Sequence, residues 1–215
     1  LVTAPIDKNT IHGEGFDFPG HTEYLEARFR SEEDADGGKA LMILFNEMLR
    51  VALVTTHLPV SRIAEHITAA SVTDTVERFA GSLRRDFRCE RPRIAVLGLN
   101  PHCGDHGIAG DEDDTVIRPA VDALRERGIM AFGPYAADGF FGSGAYRKFD
   151  GVVAMYHDQG LAPFKTIAGT DGVNFTAGLK YVRTSPDHGT GYDIAGKGVA
   201  DPLSMRHAIY AALDI

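Results

Sequence analysis

The sequence has no tryptophan and only two cysteines, Cys89 and Cys103. Two thiols with no CxxC pair exclude a disulfide framework and fit a reducing, cytoplasmic setting. Basic charge is also scarce. Lys and Arg number 22 against 30 Asp and Glu, so the net charge is −8. Nucleic-acid binders usually present a basic face, so nucleic acid is not an expected partner. No apolar run approaches the ~18 residues of a membrane span, which removes the membrane as well. The opening residues do not show a secretory-signal pattern. The fingerprints GK[ST] and HExxH are missing, as is GxGxxG in a strand–turn–helix setting. A nicotinamide or metal site must therefore be built from other loops.

What is present fits an ordinary globular protein. Of 215 residues, 44% are hydrophobic and 24% charged, enough to bury a sizeable core in one or two domains. The apolar runs at 93–100 and 151–157 read as strands covered on both faces, the second ending at His157. Runs 41–45 and 51–55 read either as two more strands or as one long helix. Ser71 and Asp74 predict a capping box ahead of Val72, Val76, Phe79 and Leu83. Val116, Ile117, Ala120, Val121 and Leu124 mark a helical face closed by Gly128, with Pro119 delaying or bending its start. Asp201-Pro202 predicts a cap with proline at the first helical position. Strands alternating with helices imply an α/β fold. The segment 30–39 is acidic and reads as a solvated loop. Leu1 to Ile6 reads as a strand already under way, so a chain lacking an N-terminal part is expected.

Four sets of residues could carry chemistry. His21, His57 and His157 sit in suggestive loops, and three neutral imidazoles make a good site for a divalent transition metal. They could equally be unrelated polar loop residues. The glycine-rich run GLNPHCGDHG at 98–107 follows a strand and could present backbone N–H groups to an anion. A turn leading into the acidic segment 111–114 explains it equally well. Lys165, Asn174 and Arg183 could hold a phosphate or carboxylate, Arg183 through its bidentate fork, or be ordinary polar surface. The fourth set is the run DHGTGYDIAGKGVADP at 187–202.

That last run resembles the adenosine-binding loop of the isopropylmalate and isocitrate dehydrogenases, with Gly191-Tyr192 and Asp201 as departures. A closer resemblance is to the 4-hydroxythreonine-4-phosphate dehydrogenase family. It is carried by TAPIDK at 3–8, GHTE at 20–23, TTHLP at 55–59, GLNPH at 98–102, MYHDQGL at 155–161, GVN at 172–174 and RTSPDHGT at 183–190. The resemblance implies that His21, His57 and His157 are metal ligands, one coming from a second subunit. It implies that Lys165, Asn174 and Arg183 contact substrate, and that His188, Gly189, Thr190 and Asp193 line the NAD site. NADP is a second cofactor option, and Zn, Mg, Mn or Co the metal. The implied reaction oxidises the C3 alcohol of 4-phosphooxy-L-threonine. The β-keto acid then loses CO₂ to give 3-amino-2-oxopropyl phosphate, on the way to pyridoxal 5′-phosphate.

The implied fold is a two-domain α/β/α sandwich of the isopropylmalate dehydrogenase type, homodimeric, with its first domain incomplete. Residues 1–134 are expected as a central α/β domain and 135–215 as the C-terminal part of the nucleotide-binding domain. Two other functions share these features: a dehydrogenase of D-threonate or D-erythronate 4-phosphate, and an inactive dimerising fragment.

Overall fold

The computed structural model describes residues 1–13, 15–18, 20–29 and 39–215. Apart from Lys39, the acidic segment read as a loop lies outside the described residues. The chain divides into two compact units, Leu1–Asn46 with Gly169–Ile215, and Glu47–Ala168. Among the described residues, no helix is long and apolar enough to cross a membrane.

Numbered along the chain, the first unit holds α1 (Lys8–Ile11), α2 (His21–Phe29), β1 (Leu41–Phe45), β6 (Val173–Ala177), β7 (Thr184–Pro186) and α8 (Leu203–Asp214). The second holds β2 (Arg50–Leu53), α3 (Ile63–His66), α4 (Ala69–Arg85), β3 (Ile94–Leu97), α5 (Arg118–Glu126), β4 (Ala131–Tyr135), α6 (Ala137–Gly142), β5 (Gly151–Ala154) and α7 (His157–Ala168).

In the second unit the strands run parallel in the order β4-β3-β5-β2. All of Ile94 to Leu97 and Val152 to Ala154 are fully buried, as continuous apolar strands covered on both faces should be. Val51 pairs with Val152 and Leu53 with Ala154. A Cβ on Gly160 of α7 would stand 2.8 Å from Val51, 2.9 Å from Leu53 and 3.0 Å from Ala154, so α7 lies directly on that face. On the opposite face, Gly151 abuts Phe79 and Leu83 of α4. Helices on both sides of a parallel sheet make this unit an α/β/α layer.

The contact at Gly151 makes a prediction. Gly151→Ala would drive a methyl into the Phe79 ring, which is fully buried and cannot swing away. The expected loss is about 2–3 kcal/mol of stability, the upper range for overpacking a core. Urea denaturation of the full chain measures it, and an unchanged midpoint would contradict the packing described.

The first unit is antiparallel, β1-β6-β7. Leu41↔Ala177 through Phe45↔Val173 sets the register, so 41–45 is a strand. Val173 packs with Ala208 and Ala211 of α8, against Val2 and Phe45. The Thr184 hydroxyl fastens α8 by donating to the Ala208 carbonyl at 2.6 Å. Strand alternation then puts Asn174, Thr176 and Ser185 on the other face. Of the opening residues expected as a strand, Val2 forms an isolated bridge to Thr184.

Several local expectations shift. Runs 41–45 and 51–55 are two strands, not one helix, because each finds a sheet partner. The capping box of α4 is Thr68 with Ser71, not Ser71 with Asp74: Thr68 Oγ1 accepts from Ser71 N at 3.1 Å and Ser71 Oγ from Thr68 N at 2.9 Å. Asp74 instead pairs with Arg78 one turn on, at 2.8 Å. A π turn over Asp113–Ile117 leads into α5, which leaves Pro119 harmlessly in the first helical turn. Asp201 does accept from Leu203 N at 2.9 Å, but the helix opens at Leu203, with Pro202 just outside. Strand β5 stops at Ala154, and His157 opens α7 instead of closing the strand.

The two compact units also differ from a division at residue 134. A cut there would separate β5 from β3 and β2, its neighbours on both sides. It would also assign β1 and β6 to different domains although they are paired along their whole length.

Candidate active site

In the second unit, β2, β5 and β3 are adjacent and parallel, so the loops after them leave from one edge, where ligands bind in α/β sheets. His57 follows β2 and His157 follows β5. Their rings lie 5.8 Å apart between centroids. His157 Nδ1 stands 2.7 Å from Asp158 Oδ1. With that nitrogen protonated and donating to the carboxylate, Nε2 keeps its lone pair, which is how a carboxylate prepares a histidine for a metal. The loop after β3 carries His102. Lys165 is exposed on α7, two turns beyond His157. Among the described residues, no three His, Cys, Asp or Glu side chains stand together to hold a metal ion.

The loop after β3 is held from within. Asp113 is fully buried. Its Oδ1 accepts from Leu99 N at 2.8 Å, and Oδ2 from Asn100 N and Asn100 Nδ2, both at 3.0 Å. Two of the backbone N–H groups that could have cradled an anion are thus satisfied by the protein's own carboxylate. Of the two readings of this loop, the turn into the acidic segment is the one the structure realises. Beyond it His102, Cys103, Asp105 and His106 all adopt left-handed backbone, with φ of 54°, 53°, 44° and 56°. Non-glycine residues do this at a cost, and only where surroundings hold them.

In the first unit, Arg183 is only 4% exposed. Its guanidinium donates to Thr3 Oγ1 at 3.1 and 2.7 Å and to Thr176 Oγ1 at 3.0 Å. Among the described residues, no carboxylate lies within ion-pair distance of it. Burial pulls its pKa down to about 10, with the more distant Glu23 acting the other way. His21, at the start of α2, is held below its ordinary pKa by burial first and the Arg183 charge second. The Asn174 Oδ1 atom is buried and has no hydrogen-bond partner among the described residues. A buried cation whose hydrogen bonds go to hydroxyls has the chemistry to hold an anion.

The run 188–198 leaves β7 as an exposed, glycine-rich loop. His188 Nδ1 lies 2.8 Å from the Gly189 carbonyl oxygen, a donor–acceptor contact. Gly189, Thr190 and Asp193 are exposed along it. A hydrogen bond with Asp7 raises the Tyr192 phenol above its ordinary pKa.

A family model described as pyridoxal phosphate biosynthetic protein PdxA matches residues 1–212. The chain belongs to this family. It is 57% identical over its whole length to a curated 4-hydroxythreonine-4-phosphate dehydrogenase of Bacteroides thetaiotaomicron and covers 58% of that relative. A crystal structure of 4-hydroxythreonine-4-phosphate dehydrogenase from Klebsiella pneumoniae superposes with a TM-score of 0.83 at 38% identity, covering 99% of this chain and 63% of that one. Isocitrate dehydrogenase from Methylococcus capsulatus, at 13% identity, matches with a TM-score of 0.58, over 99% of this chain and 67% of its own, and shares the fold. The chain thus spans about three fifths of the length of the curated PdxA relatives it matches.

Within this PdxA chain, His57 and His157 come together in one unit, and His21 and Arg183 in the other. Sequence reading passed over Asp113 and Gln159. Asp113 sits in an acidic run with nothing to mark it as buried, and Gln159 in MYHDQGL offers no charge to draw attention. His102 was visible in GLNPH, but only the strand order places it one loop from His157.

Proposed function

We propose that the chain supplies metal and substrate groups to an NAD-dependent dehydrogenase that oxidises the C3 alcohol of 4-phosphooxy-L-threonine in pyridoxal phosphate biosynthesis. The observation that carries this reading is the His57–His157 pair, with Asp158 on the Nδ1 side of His157. Two converging imidazoles, one already oriented by a carboxylate, suit a borderline divalent ion such as zinc or cobalt. For the third ligand, the resemblance implied His21. We keep that assignment, with one of the three histidines supplied by a second subunit.

Arg183 grips the phosphate or carboxylate of the substrate. Asn174 offers its unpartnered oxygen to a substrate donor, and Lys165 adds a second cation. The exposed loop with His188, Gly189, Thr190 and Asp193 can take the adenosine half of NAD, with Asp193 free to accept from a ribose hydroxyl. A metal ion held by the histidines would supply Lewis acidity at the substrate oxygen, and a nicotinamide held by the loop of His188 to Asp193 would supply the hydride acceptor. A homodimer in a reducing cytoplasm, where Cys89 and Cys103 stay free thiols, belongs to the same reading.

Metal content of single alanine variants at His57, His157, His102 and His21 tests the ligand set. Loss in the His57, His157 and His21 variants with retention in His102→Ala is expected. Loss in His102→Ala with retention in His21→Ala would put His102 in place of His21, and retention in all four would end the metal reading. NADH production from 4-phosphooxy-L-threonine and from D-erythronate 4-phosphate, measured side by side, decides the substrate. Turnover of neither, with activity in a longer protein, would make this chain an inactive fragment.

A further inference from the structure

Parallel pairing of β5 with β3 runs through Val96↔Val153, and that of β2 with β5 through Leu53↔Ala154. Beyond those rungs the strands give way to the loops that carry His57, His157 and His102. A hydrogen-bond chain nevertheless continues across all three. The Met155 carbonyl accepts from Thr55 N at 3.1 Å and from the Thr55 hydroxyl at 2.7 Å. The Met155 N–H donates to Gln159 Oε1 at 2.7 Å, and Gln159 Nε2 donates to the Gly98 carbonyl at 2.6 Å. A primary amide offers the donor and acceptor of a peptide group. Gln159 therefore stands where a further strand residue would, and adds one rung to a ladder whose backbone has ended.

We propose that Gln159 is a positioning residue that fixes the spacing between the ends of β5 and β3, and so sets the position from which His157 meets a divalent metal ion. The part concerning metal rests on the ligand reading above; the spacing itself does not. The geometry argues for side-chain control. Met155 is fully buried and lies two residues before His157, and Thr55 lies two before His57. Gly98 opens the loop whose next two amides are taken by Asp113. Each histidine is thus tethered near its base, and Gln159 is the side chain that joins the β5 tether to the β3 tether. Its own ligand capacity is used up in doing so, since both ends of its amide are engaged within the protein.

The test uses Gln159→Met, nearly isosteric and unable to make either bond. Two readouts are taken on the full chain. Amide hydrogen exchange without metal should show Met155 N–H exchanging at least tenfold faster, while amides in the middle of β3 keep their protection. Cobalt(II) titration should show an altered d–d absorption band and affinity weakened by about 10–100-fold, the range for residues that orient metal ligands. Parent-like exchange at Met155 overturns the proposal, as does parent-like cobalt affinity and spectrum where the parent binds cobalt. If the parent binds no cobalt, the metal reading fails, while the exchange readout still decides whether Gln159 sets the spacing. Should Gln159→Met not fold, Gln159→Glu is read by cobalt titration alone. It keeps the acceptor for Met155, loses the donor to Gly98, and is expected to reproduce the cobalt defect.

Discussion

Asp113→Ala is expected to destabilise the chain by about 2–4 kcal/mol, a fall in melting temperature of roughly 5–15 °C for a domain of this size. The carboxylate is fully buried and answers three N–H donors, from Leu99 N, Asn100 N and Asn100 Nδ2. Alanine leaves those donors facing a void too confined for free hydration, and each unmet donor costs about 1 kcal/mol or more. Asp113→Asn should cost less, because its remaining oxygen can take the Oδ2 position and keep both Asn100 donors, leaving the NH₂ group against Leu99 N alone. The left-handed run from His102 to His106 should loosen as well, since its strained conformations persist only while the loop's base is fixed. Thermal and urea denaturation of the two variants measure the order. Equal stability of all three proteins would mean that water replaces the carboxylate, and that the loop is not held as described.

Arg183→Met should split two properties that usually move together. The guanidinium is buried without a carboxylate partner, and its pKa of about 10 lies below the ordinary arginine value. A base whose folded-state pKa is lowered binds its proton less tightly when folded. The charge therefore opposes folding at every pH below about 10, and the penalty lifts only as the pH rises through that value. Methionine fills similar space with no charge. The unliganded variant should be as stable as the parent or more so, by about 1–2 kcal/mol once the lost bonds to Thr3 and Thr176 are allowed for. Anion binding should collapse. Inorganic phosphate should raise the melting temperature of the parent and not of the variant. In the active enzyme, kcat/KM should fall by about 10²–10³-fold, the usual scale for deleting a desolvated charge that meets its counter-ion. A variant that is less stable yet still stabilised by phosphate would make Arg183 a structural residue.

These results bear on how function is written into the chain. The fold class was legible because its signals are local. The runs Ile94 to Leu97 and Gly151 to Ala154 are apolar throughout, as strands buried on both faces must be. Val72, Val76, Phe79 and Leu83 repeat with a helical period and are all fully buried. The family was legible too, because PdxA motifs recur in order along the chain. Boundaries and caps were less so. Ser71 could have been an N-cap or the third residue of a helix, and the choice was made by Thr68, three positions earlier.

The sequence by itself determined which residue types were on hand: histidines after strands, a buried-strand pattern, and cations in the last third of the chain. Only the tertiary structure decided which of them meet. The antiparallel pairing of β1 with β6 returns Gly169–Ile215 to the opening residues, and so puts Arg183 beside His21 and Thr3. The parallel order β3-β5-β2 gathers the loops of His102, His157 and His57 at one edge. The physical reason lies in the range of the forces. Propensity and periodicity act over a turn or a strand, and so can be read along the chain. Strand order, the burial of Asp113 and Arg183, and the bridge made by Gln159 arise only when segments distant in sequence exclude water together.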